Sequence, residues 1–218
     1  MEVLIKDKMR MYKFCLCDET VYLPDNNVVL RRFFHPSGIL MNEIIDDKDK
    51  DGNIQKKNGT EAYFYENGSL SRITTFRNNK KDGIFKTLFE SGNILEIIRA
   101  KNGKEQGKFL VFRENGGLLS YSNFEKGINN ELSINTGRNG IIEDMIPYSK
   151  KNKVEGLYIH FREDGTVFCR RNFFKGREEG ESRWLDEDGS TKEIKYYRDG
   201  RICDIDGNII KRRSCKKA

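Results

Sequence analysis

The chain has 218 residues, a formal net charge of +6, and 34% charged against 36% hydrophobic residues. So low an apolar fraction suits a thin sheet better than a thick globule. The cationic excess, 40 Lys and Arg against 34 Asp and Glu, is spread along the whole length, which argues against a nucleic-acid footprint and allows a mild attraction to acidic surfaces.

Residues 1–27 carry their own apolar runs, such as Met11-Tyr12-Lys13-Phe14-Cys15-Leu16, and close on a turn at Pro24-Asp25-Asn26-Asn27. They read as an N-terminal capping segment, with a partner-binding arm as the alternative. Lys6, Asp7, Lys8 and Arg10 interrupt any apolar leader, so no signal peptide is expected, and no stretch is long enough for a membrane-spanning helix. The five cysteines, Cys15, Cys17, Cys169, Cys203 and Cys215, are odd in number and irregular in spacing. They fit neither a disulfide framework nor a zinc site, and they predict reduced thiols in a cytoplasmic chain.

Residues 28–58 read as a degenerate repeat with an acidic insertion. Phe33-Phe34-His35-Pro36-Ser37-Gly38-Ile39-Leu40 mirrors Tyr63-Phe64-Tyr65-Glu66-Asn67-Gly68-Ser69-Leu70. Inside the insertion, Asp47, Asp49, Asp51 and Asn53 sit at alternate positions, with Gly52 and Ile54 where the first half of an EF-hand loop has them. Alternate carboxylates converge on a hard cation, so calcium is the one cofactor the sequence suggests. The second half of that motif fails, since position 12 is Asn58, and a solvated charged loop is the competing reading.

From residue 59 to 207 one small unit recurs. Gly68, Gly92, Gly116, Gly140, Gly165 and Gly189 are separated by 24, 24, 24, 25 and 24 residues, and each follows Asn, Ser or Asp. Such pairs suit two-residue hairpin turns, in which both central residues take positive φ. A second turn column lies eleven residues further on, at Asn79, Gly103, Gly127, Lys151, Gly176 and Gly200. Two reversals per repeat leave two strands. Apolar columns, such as Ile73, Ile97, Tyr121, Met145, Arg170 and Ile194, alternate with Lys, Glu, Arg and Asn, which suits strands with one buried face and one wet face. The expected fold is all-β: an elongated antiparallel β-meander of stacked hairpin repeats, in an open single-layer twisted sheet. Asp206-Gly207 reads as a last turn closing the array, and residues 208–218 as a basic tail.

Segments such as Gly83-Ile84-Phe85-Lys86-Thr87-Leu88-Phe89-Glu90-Ser91-Gly92 and Gly107-Lys108-Phe109-Leu110-Val111-Phe112-Arg113-Glu114-Asn115-Gly116 resemble the MORN-variant repeat. The resemblance runs from Gly59 to about Gly207 and more faintly over 28–45. It implies a non-catalytic interaction role with a protein partner. Many bacterial members carry an antitoxin-like label, so inhibition of a cognate toxin is one form of that expectation. A peripheral scaffold on an anionic membrane is the alternative.

Nothing in the chain looks catalytic. His35 and His160 precede hairpin turns, and no nucleophile, phosphate-loop or metalloprotease motif is present. Aromatic and Arg residues are the usual anchors of protein interfaces. On that basis Tyr65, Phe89, Arg113, Arg162, Arg171 and Trp184 are the candidate partner-binding residues, against cross-strand packing as the bland alternative.

Overall fold

The computed structural model describes residues 18–23, 28–47 and 58–210, and over these the chain is all-β, with no helix. It divides into two compact units, residues 1–117 and 118–218. The first contains β1 (Asp18–Leu23), β2 (Val28–Phe34), β3 (Leu40–Asp47), β4 (Gly59–Phe64), β5 (Leu70–Arg77), β6 (Lys80–Lys81), β7 (Gly83–Leu88), β8 (Ile94–Lys101), β9 (Lys104–Glu105) and β10 (Gly107–Phe112). The second contains β11 (Leu118–Glu125), β12 (Ile128–Asn129), β13 (Glu131–Thr136), β14 (Ile142–Tyr148), β15 (Gly156–Phe161), β16 (Val167–Phe174), β17 (Arg177–Leu185), β18 (Thr191–Arg198) and β19 (Arg201–Cys203).

Within each unit all pairing is antiparallel and sequential along the chain, with β6, β9 and β12 pairing to the strand before them and β7, β10 and β13 continuing on that same strand. In the first unit β1 pairs β2, β2 pairs β3, β3 pairs β4, β4 pairs β5, and β5 pairs β7. In the second, β13 through β19 follow one another in the same way. Both are open meanders, as the two turns per repeat require. The two-residue strands β6, β9 and β12 are the starts of longer strands that a bulge interrupts. β17 runs through its bulge without a break.

The two turn columns differ from expectation in type. At Tyr65-Glu66-Asn67-Gly68-Ser69 the Gly68 N–H donates to Tyr65 O at 2.9 Å and the Tyr65 N–H donates to Ser69 O at 2.8 Å. This is a type I turn closed by a glycine bulge, a three-residue loop. Only the glycine takes positive φ, +83° at Gly68, whereas Asn67 does not. The same bonds recur at Gly38, Gly92, Gly116, Gly140, Gly165, Gly189 and Gly207. The two-residue turns with positive φ at both centres are instead those of the second column: Asn78 and Asn79, Asn102 and Gly103, Lys126 and Gly127, Lys175 and Gly176, Asp199 and Gly200.

Asn and Asp are favoured in the first column for another reason, since their side chains accept from the backbone two residues on. Ser69 N–H donates to Asn67 Oδ1 at 2.8 Å, Thr166 N–H to Asp164 Oδ1 at 2.8 Å and Ser190 N–H to Asp188 Oδ1 at 2.8 Å. The extra residue between Gly140 and Gly165 is absorbed in the second column. There, Ser149 to Lys153 form a three-residue loop with Asn152 at positive φ.

Neither face of the sheet forms a sealed core. Among the described residues the buried apolar side chains are Val29, Ala100, Cys169, Leu185 and Cys203, and most strand residues are half-buried. A one-layer sheet has no second layer to exclude water, so apolar residues cover one another only across strands. The expectation of one buried and one wet face therefore gives way to two partly exposed faces.

With few side chains buried, the backbone conformation at turns and bulges contributes to stability. Gly83, at φ +127°, leaves so little room that a Cβ there would lie 2.1 Å from Thr75 Oγ1, which donates to Asp82 O at 2.7 Å. At Gly92 a Cβ would meet nothing within 4 Å. Gly92→Ala is expected to cost about 1 kcal/mol, from positive φ alone. Gly83→Ala combines that strain with a clash and is expected to cost about 3 kcal/mol. Urea denaturation midpoints of the two variants check the difference.

Candidate functional site

Four of the six residues singled out in the sequence share one structural place. Tyr65, Phe89, Arg113 and Arg162 each occupy the first position of a glycine-bulge turn. Two of them tie one repeat to the next. Tyr65 Oη donates to Leu88 O at 2.7 Å, and Arg162 Nη2 donates to Leu185 O, with Arg162 Nη1 on Val167 O at 2.8 Å. Polar side chains at the equivalent turns of each unit add rungs of the same kind: Asn93 Nδ2 to Glu114 O at 2.8 Å in the first and Asn139 Nδ2 to Glu163 O at 2.7 Å in the second. Tyr65 and Arg162 are thus occupied in holding repeats together.

Arg171 and Trp184 lie on one face of the 118–218 unit, inside a polar and aromatic network. Successive strand residues point to opposite faces, so register assigns the members. Asn135, Asp144, His160, Cys169, Trp184 and Glu193 form one cross-strand row. Tyr158, Arg171, Ser182 and Lys195 form the adjacent one. Asp144 Oδ1 accepts from Tyr158 Oη at 2.6 Å and lies 2.8 Å from His160 Nδ1. Arg171 Nε donates to Glu178 Oε1 at 2.6 Å, and its guanidinium lies 5.3 Å from the Phe173 ring centre. Lys195 pairs with Glu193 at 2.9 Å and lies 4.8 Å above the Trp184 ring.

Burial opposes ionisation of Asp144, but hydrogen bonds from Tyr158, His160 and Asn135 outweigh it and hold the carboxyl below its ordinary value. Burial, then the Asp144 carboxylate, pushes the Tyr158 phenol up, so it stays a donor. The thiol nearest this group is Cys169, cross-strand partner of His160, and burial pushes it up as well. A buried thiol with a raised pKa is a poor nucleophile. Asp144 and His160 have the form of a base and its orienter, but the group supplies no activated nucleophile. Its charges are paired with one another and packed across strands.

The opposite face of this unit is aliphatic. Tyr121, Ile134, Met145, Ile159, Arg170, Arg183 and Ile194 succeed one another across its strands. Leu157 and Asn172 flank that row, and Phe174 follows on β16 with the same parity. Leu157 is 45% exposed, Phe174 49% and Ile194 41%. Arg170 and Arg183 are directly opposed on β16 and β17. Arg183 Nε and Nη2 both donate to Glu181 Oε1, at 2.9 and 2.6 Å. Arg170 is exposed, and its side chain makes no hydrogen bond or ion pair among the described residues. Leu157, Arg170, Asn172, Glu181 and Arg183 enclose a depression of about 160 Å³.

The sequence had one readable sign of this place. Arg170 is the charged member of a column otherwise filled by Ile73, Ile97, Tyr121, Met145 and Ile194. Of the calcium half-motif, Asp47 stands exposed at the end of β3, while Asp49, Asp51 and Asn53 lie outside the described residues. No cluster of metal-ligating side chains occurs among the described residues.

Residues 57–78 match the family model described as MORN repeat variant. The match covers one hairpin, β4 and β5 with the Gly68 turn between them, and the same turn recurs along the chain. Repeats of this family are protein- and membrane-binding motifs and non-enzymatic. No curated protein matches the chain.

The Asp144 network makes stability depend on pH. A carboxyl whose folded pKa is lowered contributes stability that is fully present above its ordinary value, near 3.8, and is lost as pH falls through the folded value. Asp144→Asn is expected to lower stability by about 1 kcal/mol near neutral pH. Its deficit against the parent should close below the ordinary carboxylate range. Thermal melts of the two proteins between neutral and strongly acid pH measure it.

Proposed function

We propose that this chain is a non-catalytic scaffold that binds a protein partner on the aliphatic face of residues 118–218. The observation that carries the reading is the exposure of Leu157, Phe174 and Ile194 beside arginines on one sheet face. Exposed large apolar side chains gathered on one face mark interaction sites, and arginine, which lies between them here, is enriched among interface anchors. The opposite face supports the choice, because its charged groups are already paired. An acidic partner complements both the arginines and the overall charge of +6. In its narrower form, the scaffold is an antitoxin- or immunity-like inhibitor that covers a cognate toxin, which rests on the family resemblance. Two free, buried thiols, Cys169 and Cys203, support a reducing, cytoplasmic setting.

The test is capture of a stoichiometric partner by the intact chain. Leu157→Asp with Phe174→Asp is expected to weaken that complex by about tenfold or more while the circular dichroism spectrum stays unchanged. A partner retained by the double variant moves the site elsewhere. Salt-sensitive binding to acidic but not neutral vesicles, with no protein partner, would replace the reading with that of a membrane-surface scaffold.

A further inference from the structure

We infer that the depression between Arg170 and Arg183 is an anchor pocket for a carboxylate side chain of the protein partner. This rests on the scaffold reading and assigns its recognition chemistry. Like charges directly opposite on neighbouring strands destabilise a sheet, yet Arg170 and Arg183 stand opposite each other. Glu181 offsets one of them and, by taking Nε and Nη2, fixes the guanidinium of Arg183 while leaving Nη1 free. Arg170 has no counter-ion among the described residues and keeps its fork of donors for an incoming oxygen pair. The local count is two cations against one anion, which leaves one positive charge for a ligand to neutralise.

The surroundings decide which anion fits. Ile159 and Ile194 border the arginines in register, and Leu157 lines the pocket. An apolar rim favours an anion carried on apolar surface, and it strengthens a charge-assisted bond once water is excluded. At about 160 Å³ the pocket is smaller than the roughly 300 Å³ at which small-molecule and cofactor sites begin. It accommodates a carboxylate with its methylene stem and leaves no room for a base and sugar. Asn172 Nδ2 donates one of its two hydrogens to Glu181 O at 2.8 Å, which fixes the amide beside the pocket as a neutral neighbour of the arginines. The arginines therefore supply the recognition, and the occupant is a Glu or Asp presented between apolar neighbours.

Calorimetric titration of the full chain tests this with three probes: a peptide of alternating leucine and glutamate, the same peptide with glutamine for glutamate, and sodium phosphate. The glutamate peptide is expected to bind at least about tenfold more tightly than the glutamine peptide. Arg170→Gln should abolish that difference. Arg170→Lys should restore only part of it, since an ammonium lacks the planar fork. Lys195→Gln, on the opposite face, should leave both peptides unchanged. Equal affinity for the two peptides, no binding of the glutamate peptide, or glutamate-peptide binding that Arg170→Gln does not weaken each overturns the pocket. Phosphate that displaces the glutamate peptide at comparable concentration assigns the site to free anions and overturns the protein anchor. The scaffold reading fails separately, through the absence of a partner in the capture experiment.

Discussion

In a sheet of one layer, every strand depends on the strand before it. The inter-strand backbone ladder is the interaction from which the rest of this fold follows, because among the described residues no helix or second sheet is available to bury a face. Two turn types maintain the ladder. The type I turn with its glycine bulge and the two-residue turn with both centres at positive φ each match the right-handed twist of paired strands. They alternate along most of the array, the three-residue loop at Ser149 to Lys153 excepted, and each delivers the next strand to its partner. Between repeats, side chains at the first turn reach the carbonyls of the next strand's end, as Tyr65 does to Leu88 and Arg162 to Leu185. These ties act where the ladder is most exposed to water.

The same constraint leaves both faces available. With little sealed core, each face must satisfy its own polar groups, and the two faces of residues 118–218 do so differently. On one, Asp144, Tyr158, His160, Arg171 and Glu178 bond across strands until their charges are paired. On the other, aliphatic side chains half-cover one another, and Arg183 finds Glu181 while Arg170 finds nothing among the described residues. Arg170 and Arg171 are neighbours in sequence with opposite environments, because a strand sends consecutive side chains to opposite sides. Arg171 is committed to Glu178, and Arg170 remains open to a ligand.

Much of the fold was legible as spacing. Glycines at intervals of 24 or 25, apolar columns between them and a second turn column eleven residues on required paired strands and a meander, and the closing turn was legible from the Asp206-Gly207 pair itself. Turn type was read less well. Asn-Gly is compatible with both loops, and what separates them is the number of residues between the last paired positions, a property of register. The candidate site was legible only in part. Tyr65 and Arg162 had the composition of interface anchors, but the Tyr65 hydroxyl and Arg162 Nη2 donate to main-chain carbonyls of the next repeat. That contact spans 23 residues and has no signature in local sequence.

Periodicity by itself therefore determined the fold class, the position of each reversal and the oddity of Arg170 in an apolar column. These are properties of local backbone preference and of period-two alternation, which act within a few residues. Only the tertiary structure decided which charged groups are satisfied. Pairing of Arg171 with Glu178, of Asp144 with Tyr158 and His160, and the juxtaposition of Arg170 with Arg183 all depend on which residues stand opposite across the ladder. A one-residue slip in register would exchange the two faces and every one of those partners.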